Sequence, residues 1–189
     1  MKRTLMWILL LVLCMTLFSG QAAAVTVSGT VYPDSIQVKN RKLDLKGAAL
    51  LRYMVFIKAY IGALYLPSGI SGAEALSDIP KHLVLEYRVS IKAQGFAEAT
   101  TLYMEKNVDP ATFERLKPRL KTLNGLYRDV KAGDRYALTY IPGSGTELSL
   151  NGIHQGLIPG YDFAFALFSV WLGANPIDED FRDTLLGDR

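Results

Sequence analysis

Residues Leu50 to Leu66 read LLRYMVFIKAYIGALYL, 17 positions almost wholly apolar and broken only by Arg52, Lys58 and single tyrosines. The length approaches that of a membrane helix. Val55, Ile57 and Ile61, with Tyr53, Phe56, Tyr60 and Tyr65, instead favour β structure, because branched and aromatic side chains fit a pleated surface. The stretch therefore reads as extended chain buried over most of its surface, with Gly62 a place for it to bend. Buried strands are apolar on both faces, so strict alternation is not required. A cation inside such chain must reach water, a carboxylate or an anionic ligand, because an unpaired buried charge is costly. Arg52 is on that ground the residue to follow.

Upstream, Val25 to Tyr32 (VTVSGTVY) alternates and is expected to form a first strand, with Ser35 to Val38 a short second one. Downstream, Ser71 to Leu76 suggests a brief helix. His82 to Ile91 alternates, with Leu83, Leu85, Tyr87, Val89 and Ile91 on one face and a wetter face opposite. Lys92 to Asn107 switches to helical spacing, placing Phe96, Ala99, Thr100, Tyr103 and Met104 near one stripe. Asp109-Pro110 opens a second helix as N-cap and first position. Pro118 is expected to shorten or bend it, and Asn124-Gly125 to close it.

Leu126 to Val130, Tyr136 to Ile141 and Thr146 to Leu150 read as three more strands, joined by glycine-bearing turns. Gly156 to Ile158 suggests an edge segment. Tyr161 to Leu172 is an apolar helix too short to cross a bilayer, and Asp178 to Leu186 a final amphipathic one. Strands, helices, strands and helices in that order describe one α+β domain, a mostly antiparallel sheet with helices on one face.

The N-terminus reads as a cleaved signal peptide over residues 1–24. Lys2 and Arg3 precede apolar Leu5 to Phe18, and Ala22-Ala23-Ala24 supplies small residues for cleavage. Cys14 follows Leu13 rather than the small residue a lipoprotein signal requires. The n-region charge and apolar core fit a bacterial Sec-type signal, which makes the periplasm the expected destination, with no membrane span once the signal is removed. The remaining 25–189 is enough chain for one domain with a core. It has no cysteine, hence no disulfide and no thiolate metal site. With Lys2 and Arg3 gone from the 21 basic residues, 19 remain against 18 acidic ones. Neither that balance nor any basic run points to nucleic acid.

Catalytic motifs are sparse. His82 and His154 lie in separate segments without a second ligand at metal spacing, and both are expected to be solvated. There is no G-x-S-x-G, no P-loop and no G-x-G-x-x-G opening a helix. No metal and no cofactor are expected. Arg52, Lys58 and Tyr60 remain. A guanidinium and a phenol on a buried strand could grip a carboxylate, a phenolate or an enolate. The plainer reading puts both cations at strand ends or on a wet face, with Tyr60 packing its ring.

Four blocks, in order, resemble the chalcone isomerase-like superfamily, in its bacterial exported branch. They are FIKAYIGALYLP (Phe56 to Pro67) with Gly47 and Leu51-Arg52 before it, GDRYALTYIPGSGT (Gly133 to Thr146), Asn151-Gly152, and FAFALFSVWLGANPID (Phe163 to Asp178) with Leu185-Leu186-Gly187 after it. The resemblance implies an open-faced β-sandwich, a long curved antiparallel sheet under a layer of helices, with the ligand cleft between them. Plant members of the family cyclise chalcones by adding a phenolate to an enone. Related members bind fatty acids, holding the carboxylate with an arginine and a tyrosine on the sheet.

Tyr60 falls where the plant enzymes carry a threonine that places a catalytic water, and tyrosine there looks like the fatty-acid-binding members. Arg52 is the nearest equivalent of the family arginine. Phe96 stands at the plant catalytic tyrosine, and the helix asparagine aligns near Tyr103. Most of the plant catalytic set is therefore missing. The expectation is a periplasmic protein that binds a small apolar or amphipathic ligand with an anionic, fatty-acid-like group through Arg52, Tyr60, Phe96 and Tyr103. The alternative is an intramolecular lyase acting on a chalcone-like enone. A third possibility is an envelope partner bound at an exposed sheet edge.

Overall fold

The computed structural model describes residues 24–53 and 57–188, and only the backbone of Tyr53 and Ile57. The expected signal peptide therefore lies outside the described residues up to position 23, as do Val55 and Phe56. The quoted apolar stretch supplies parts of two adjacent strands, β4 (Arg41–Tyr53) and β5 (Ile57–Leu66), which pair antiparallel. Around them runs a seven-stranded antiparallel sheet in strict chain order. It starts at β3 (Ser35–Val38) and continues past β5 with β6 (Lys81–Tyr87), β7 (Arg135–Ile141), β8 (Gly145–Leu150) and β9 (Ile153–Ile158). Most neighbours are reached by short turns; β5 and β6 are joined by residues 67–80, which include a single 3-10 turn at Gly72–Glu74, and the longest excursion lies between β6 and β7. There the chain leaves to form α1 (Ala93–Asn107) and α2 (Pro110–Leu126), then returns. Helices α3 (Tyr161–Leu172) and α4 (Glu179–Leu186) complete the covering layer. The sheet is curled and the helices cover one face, an α+β open-faced sandwich.

Alternation along the strands divides the apolar residues between two cores. Leu83, Leu85 and Tyr87 face the helices and pack with Met104, Leu116 and Leu167. The outer face carries a smaller cluster of Leu43, Ile61, Ala63 and Tyr65, to which Tyr32 is added from a two-stranded hairpin. That hairpin, β1 (Ala24–Val27) and β2 (Thr30–Pro33), replaces the single first strand expected over Val25 to Tyr32. Ser28 and Gly29 both take positive φ (46° and 85°), the two-residue turn that matches strand twist.

Beneath the hairpin, Glu86 is almost fully enclosed. Its carboxylate accepts from Thr30 Oγ1 at 2.7 Å and from Arg135 Nε at 2.6 Å, and Arg88 lies 3.4 Å away. Burial raises the Glu86 pKa, but these donors outweigh it and hold the group below the usual carboxylate range.

Several local expectations are corrected. Helix α2 runs through Pro118 to Leu126, because Phe113, Leu116, Leu120 and Leu123 bury one face on both sides of the proline. Strand β6 stops at Tyr87, and Leu126 to Val130 is not a strand. Ile91 and Val130 meet there in one isolated bridge. His82 is half-buried, not freely solvated. Its Nδ1 lies 2.8 Å from Thr139 Oγ1 on the outer face, and burial pushes its pKa down to about 4.

Glycines permit the closest approaches. A Cβ on Gly47 would lie 2.1 Å from the carbonyl oxygen of Thr184, so β4 and α4 touch backbone to backbone. Asp178 caps α4 by accepting from the Phe181 amide at 2.8 Å, and Gly187 ends it at φ 76°.

Candidate functional site

Between the sheet and helices α1 and α3 lies an apolar cavity of about 120 Å³. That is room for one aromatic ring or a short acyl chain, since an engineered cavity of roughly 150 Å³ admits benzene. The sheet contributes Tyr60, Leu85, Tyr87, Tyr136 and Leu138. Helix α1 contributes Phe96 and Thr100, α3 contributes Val170 and Trp171, and Tyr127 and Ile177 come from the segments that follow α2 and α3. Ile91, Gly95, Phe96, Ala99 and Ile177 are half-exposed, so the opening lies on their side.

The ring layout follows from register. Tyr60 and Tyr87 are directly opposed on β5 and β6, and their centroids are 5.5 Å apart at 62°. Phe96 reaches down from α1 into a nest of Tyr87, Tyr127 and Tyr136, with centroid distances of 5.2, 5.5 and 5.3 Å. Edge-to-face contacts of this kind add roughly 0.5–1.5 kcal/mol each beyond the area they bury.

The hydroxyls differ in what they already hold. Trp171 Nε1–H donates to Tyr60 Oη at 3.0 Å. Thr100 and Tyr127 share a hydrogen bond at 2.9 Å. Tyr136 Oη accepts from the Arg128 amide at 2.6 Å and donates to the Arg128 carbonyl at 3.0 Å. The Tyr87 hydroxyl has no partner among the described residues, although the residue is only 2% exposed. Burial pushes the pKa of all four phenols upward, Tyr60, Tyr87 and Tyr127 most strongly, so they are neutral O–H groups. Among the described residues lining the cavity, none is charged.

The four expected site residues are distributed over three places. Tyr60 and Phe96 line the cavity. Arg52 is exposed and lines a neighbouring cleft with Asp178, Phe181 and Thr184. A register shift after Leu51 sets Arg52 opposite Lys58 at the end of the β4–β5 pair, while Leu51 opposes Tyr60. The Phe181 ring stands edge-on to Tyr60 at 5.5 Å and 88°, between that cleft and the cavity. Tyr103 is half-buried, lies under Lys106 Nζ at 4.8 Å, and borders a third depression with Asn175 and Pro176. Phe165 is exposed and Phe168 wholly buried, and the cavity lining includes neither.

Sequence reasoning did not single out Tyr87, Tyr127, Tyr136 or Trp171. The alternation of His82 to Ile91 puts Tyr87 on the face of Leu83 and Leu85, opposite the wetter one, and that is the available signal. Lys81 was also passed over. It is fully buried, with Nζ donating to the Ser77 carbonyl at 2.6 Å and lying 4.9 Å from the Tyr140 ring. Burial lowers its pKa to about 8, against the opposing influence of Asp78.

Among the described residues no three metal-ligating side chains cluster, and no helix is long and apolar enough to cross a membrane. No curated protein matches the sequence. The fold is similar to the crystal structure of a fatty-acid binding protein from Arabidopsis thaliana, with a TM-score of 0.68 over 88% of this chain and 97% of that one. Identity between the two is 16%, so the likeness concerns the fold. The sequence matches the chalcone isomerase-like family over residues 24–187, nearly the whole chain, and the protein belongs to that family.

Proposed function

We propose that this protein binds a small, largely apolar ligand in the cavity between sheet and helices. The observation that carries the reading is an uncharged pocket walled by aromatic rings with a few placed hydroxyls, the usual makeup of a small-molecule site. The likeness to a fatty-acid binding protein supports an acyl or similar body. A ligand longer than the cavity extends through the opening, and an anionic end that passes Phe181 would meet Arg52. Cleavage of residues 1–24 and delivery to the periplasm belong to the same proposal, on the strength of the leader sequence.

The test uses Trp171, the only tryptophan left once residues 1–24 are removed. Because it lines the cavity, its fluorescence reports occupancy. Saturable quenching by decanoate or by a small aromatic, with a matching rise in melting temperature, is expected. No fluorescence change and no thermal shift with either ligand would remove the proposal. Incubation with a chalcone, followed by absorbance, separates binding from catalysis. If Phe96 stands where the plant enzymes carry their catalytic tyrosine, as the resemblance implies, no turnover above background is expected.

A further inference from the structure

We infer that Tyr60 and Tyr87 together recognise one uncharged oxygen of the ligand, a carbonyl, and that Trp171 is the positioning residue that makes Tyr60 a donor. The inference rests on the binding reading above and names the group that the buried end of the site takes.

Trp171 has only an N–H to give, and it gives it to Tyr60 Oη at 3.0 Å. The phenol proton of Tyr60 has no acceptor among the described residues, so Tyr60 is left as a donor toward the cavity it lines. Tyr87, directly across the strand pair, is a second donor with no partner at all among those residues. A donor that faces the cavity loses access to water once a ligand fills the space, so a fitting ligand must bring an acceptor.

Three classes of ligand end can be compared. A hydrocarbon end leaves both protons unsatisfied. A carboxylate satisfies them, but it must shed its water in a pocket whose described lining holds no cation, which is far costlier than burying a dipole. A carbonyl oxygen has two lone pairs for two donors and carries no charge. The neighbouring Thr100–Tyr127 and Tyr136–Arg128 hydroxyls are already engaged, which leaves recognition to Tyr60 and Tyr87.

The experiment compares three probes of one size on the purified mature protein: acetophenone, ethylbenzene and benzoate, by calorimetric titration at pH 7.5. Acetophenone is expected to bind about tenfold more tightly than ethylbenzene, two hydrogen bonds being involved, and benzoate most weakly. The carbonyl stretch of bound, 13C-labelled acetophenone should fall below its value in hexane. Tyr87→Phe should bring the acetophenone-to-ethylbenzene ratio towards one and partly reverse the infrared shift. Trp171→Phe, checked for folding by its melting curve, should also reverse part of the shift, which a merely structural tryptophan would not do. Equal affinity for acetophenone and ethylbenzene, or benzoate as the tightest probe, overturns the carbonyl assignment and leaves the binding reading intact. Failure of all three to bind overturns the carbonyl assignment, and the binding reading falls with it only if decanoate also fails to quench Trp171 or raise the melting temperature.

Discussion

Tyr60 and Tyr87 sit opposite each other on neighbouring strands, equally buried, yet one hydroxyl holds a tryptophan and the other holds nothing in the described chain. The difference makes identical substitutions unequal. Tyr60→Phe leaves the Trp171 indole N–H buried without an acceptor and should cost about 1–3 kcal/mol. Tyr87→Phe removes a hydroxyl with no partner and should change stability by less than about 0.5 kcal/mol, or raise it. Urea unfolding of the two variants beside wild type checks this. Equal losses would mean that the Trp171 bond contributes nothing.

Gly47 lets α4 lie on the sheet with backbone against backbone. An added methyl would stand 2.1 Å from the Thr184 carbonyl oxygen and 2.7 Å from that of Leu185, neither of which can rotate away. Gly47→Ala should therefore lift α4 and cost about 3 kcal/mol or more, at the upper end of overpacking effects. Hydrogen exchange across Glu179–Leu186 is the measurement. Protection there should fall well before that of β6 and β7.

Acid should weaken the fold in two stages. His82 is held neutral by burial, its folded pKa about 4 against an ordinary 6.5. Between those values the unfolded chain binds the extra proton, so stability is full above pH 6.5 and drains away as pH falls towards 4. Glu86, whose folded pKa is lowered, adds a loss at lower pH, below the ordinary value of 4.5. His82→Gln should flatten the stability profile between pH 6.5 and 4.5 while leaving the steeper loss below it. Unfolding midpoints across that range are the check, and an unchanged slope would show that His82 titrates normally.

Glu86 and Arg88 together tie down the β1–β2 hairpin: the carboxylate accepts from Thr30, and Arg88 donates to the Ser28 carbonyl at 3.1 Å and to Thr30 Oγ1 at 2.5 Å. Glu86→Gln withdraws the negative charge from between Arg88 and Arg135 and weakens the acceptor for Thr30. Arg88 and Arg135 are 30% and 50% exposed and stay hydrated after the change, so the cost should fall between exposed and buried pairs, about 1–2 kcal/mol. The loss should appear as faster amide exchange in Ala24–Val27 and Thr30–Pro33, with β5 and β6 slower to respond. Uniform loss of protection would mean that the hairpin and sheet open together.

Much of the architecture was legible because it is local. Alternation at Leu83, Leu85 and Tyr87, the Asp109-Pro110 start and the bounds of Tyr161–Leu172 all reappear in the fold. Where local rules misled, a distant partner had decided. Pro118 stays in its helix because of a face buried by residues on both sides. His82 is half-buried because Thr139 and Tyr65 lie against it. The first strand is two because Ser28 accepts a positive φ that the pattern of Val25 to Tyr32 does not reveal.

Periodicity, caps and turn residues act over a few positions, so the sequence alone established an α+β chain, a mostly antiparallel sheet and much of its order of elements; the curve of the sheet and the family came from the resemblance of whole blocks. Tertiary structure alone decided which of many tyrosines line a cavity and in what state. Tyr60 is a donor because of Trp171, 111 residues away, and Tyr87 is unpartnered because of what β5, β7 and α1 place around it. A hydrogen bond's free partner is a property of three-dimensional surroundings, and spacing along a chain does not record it.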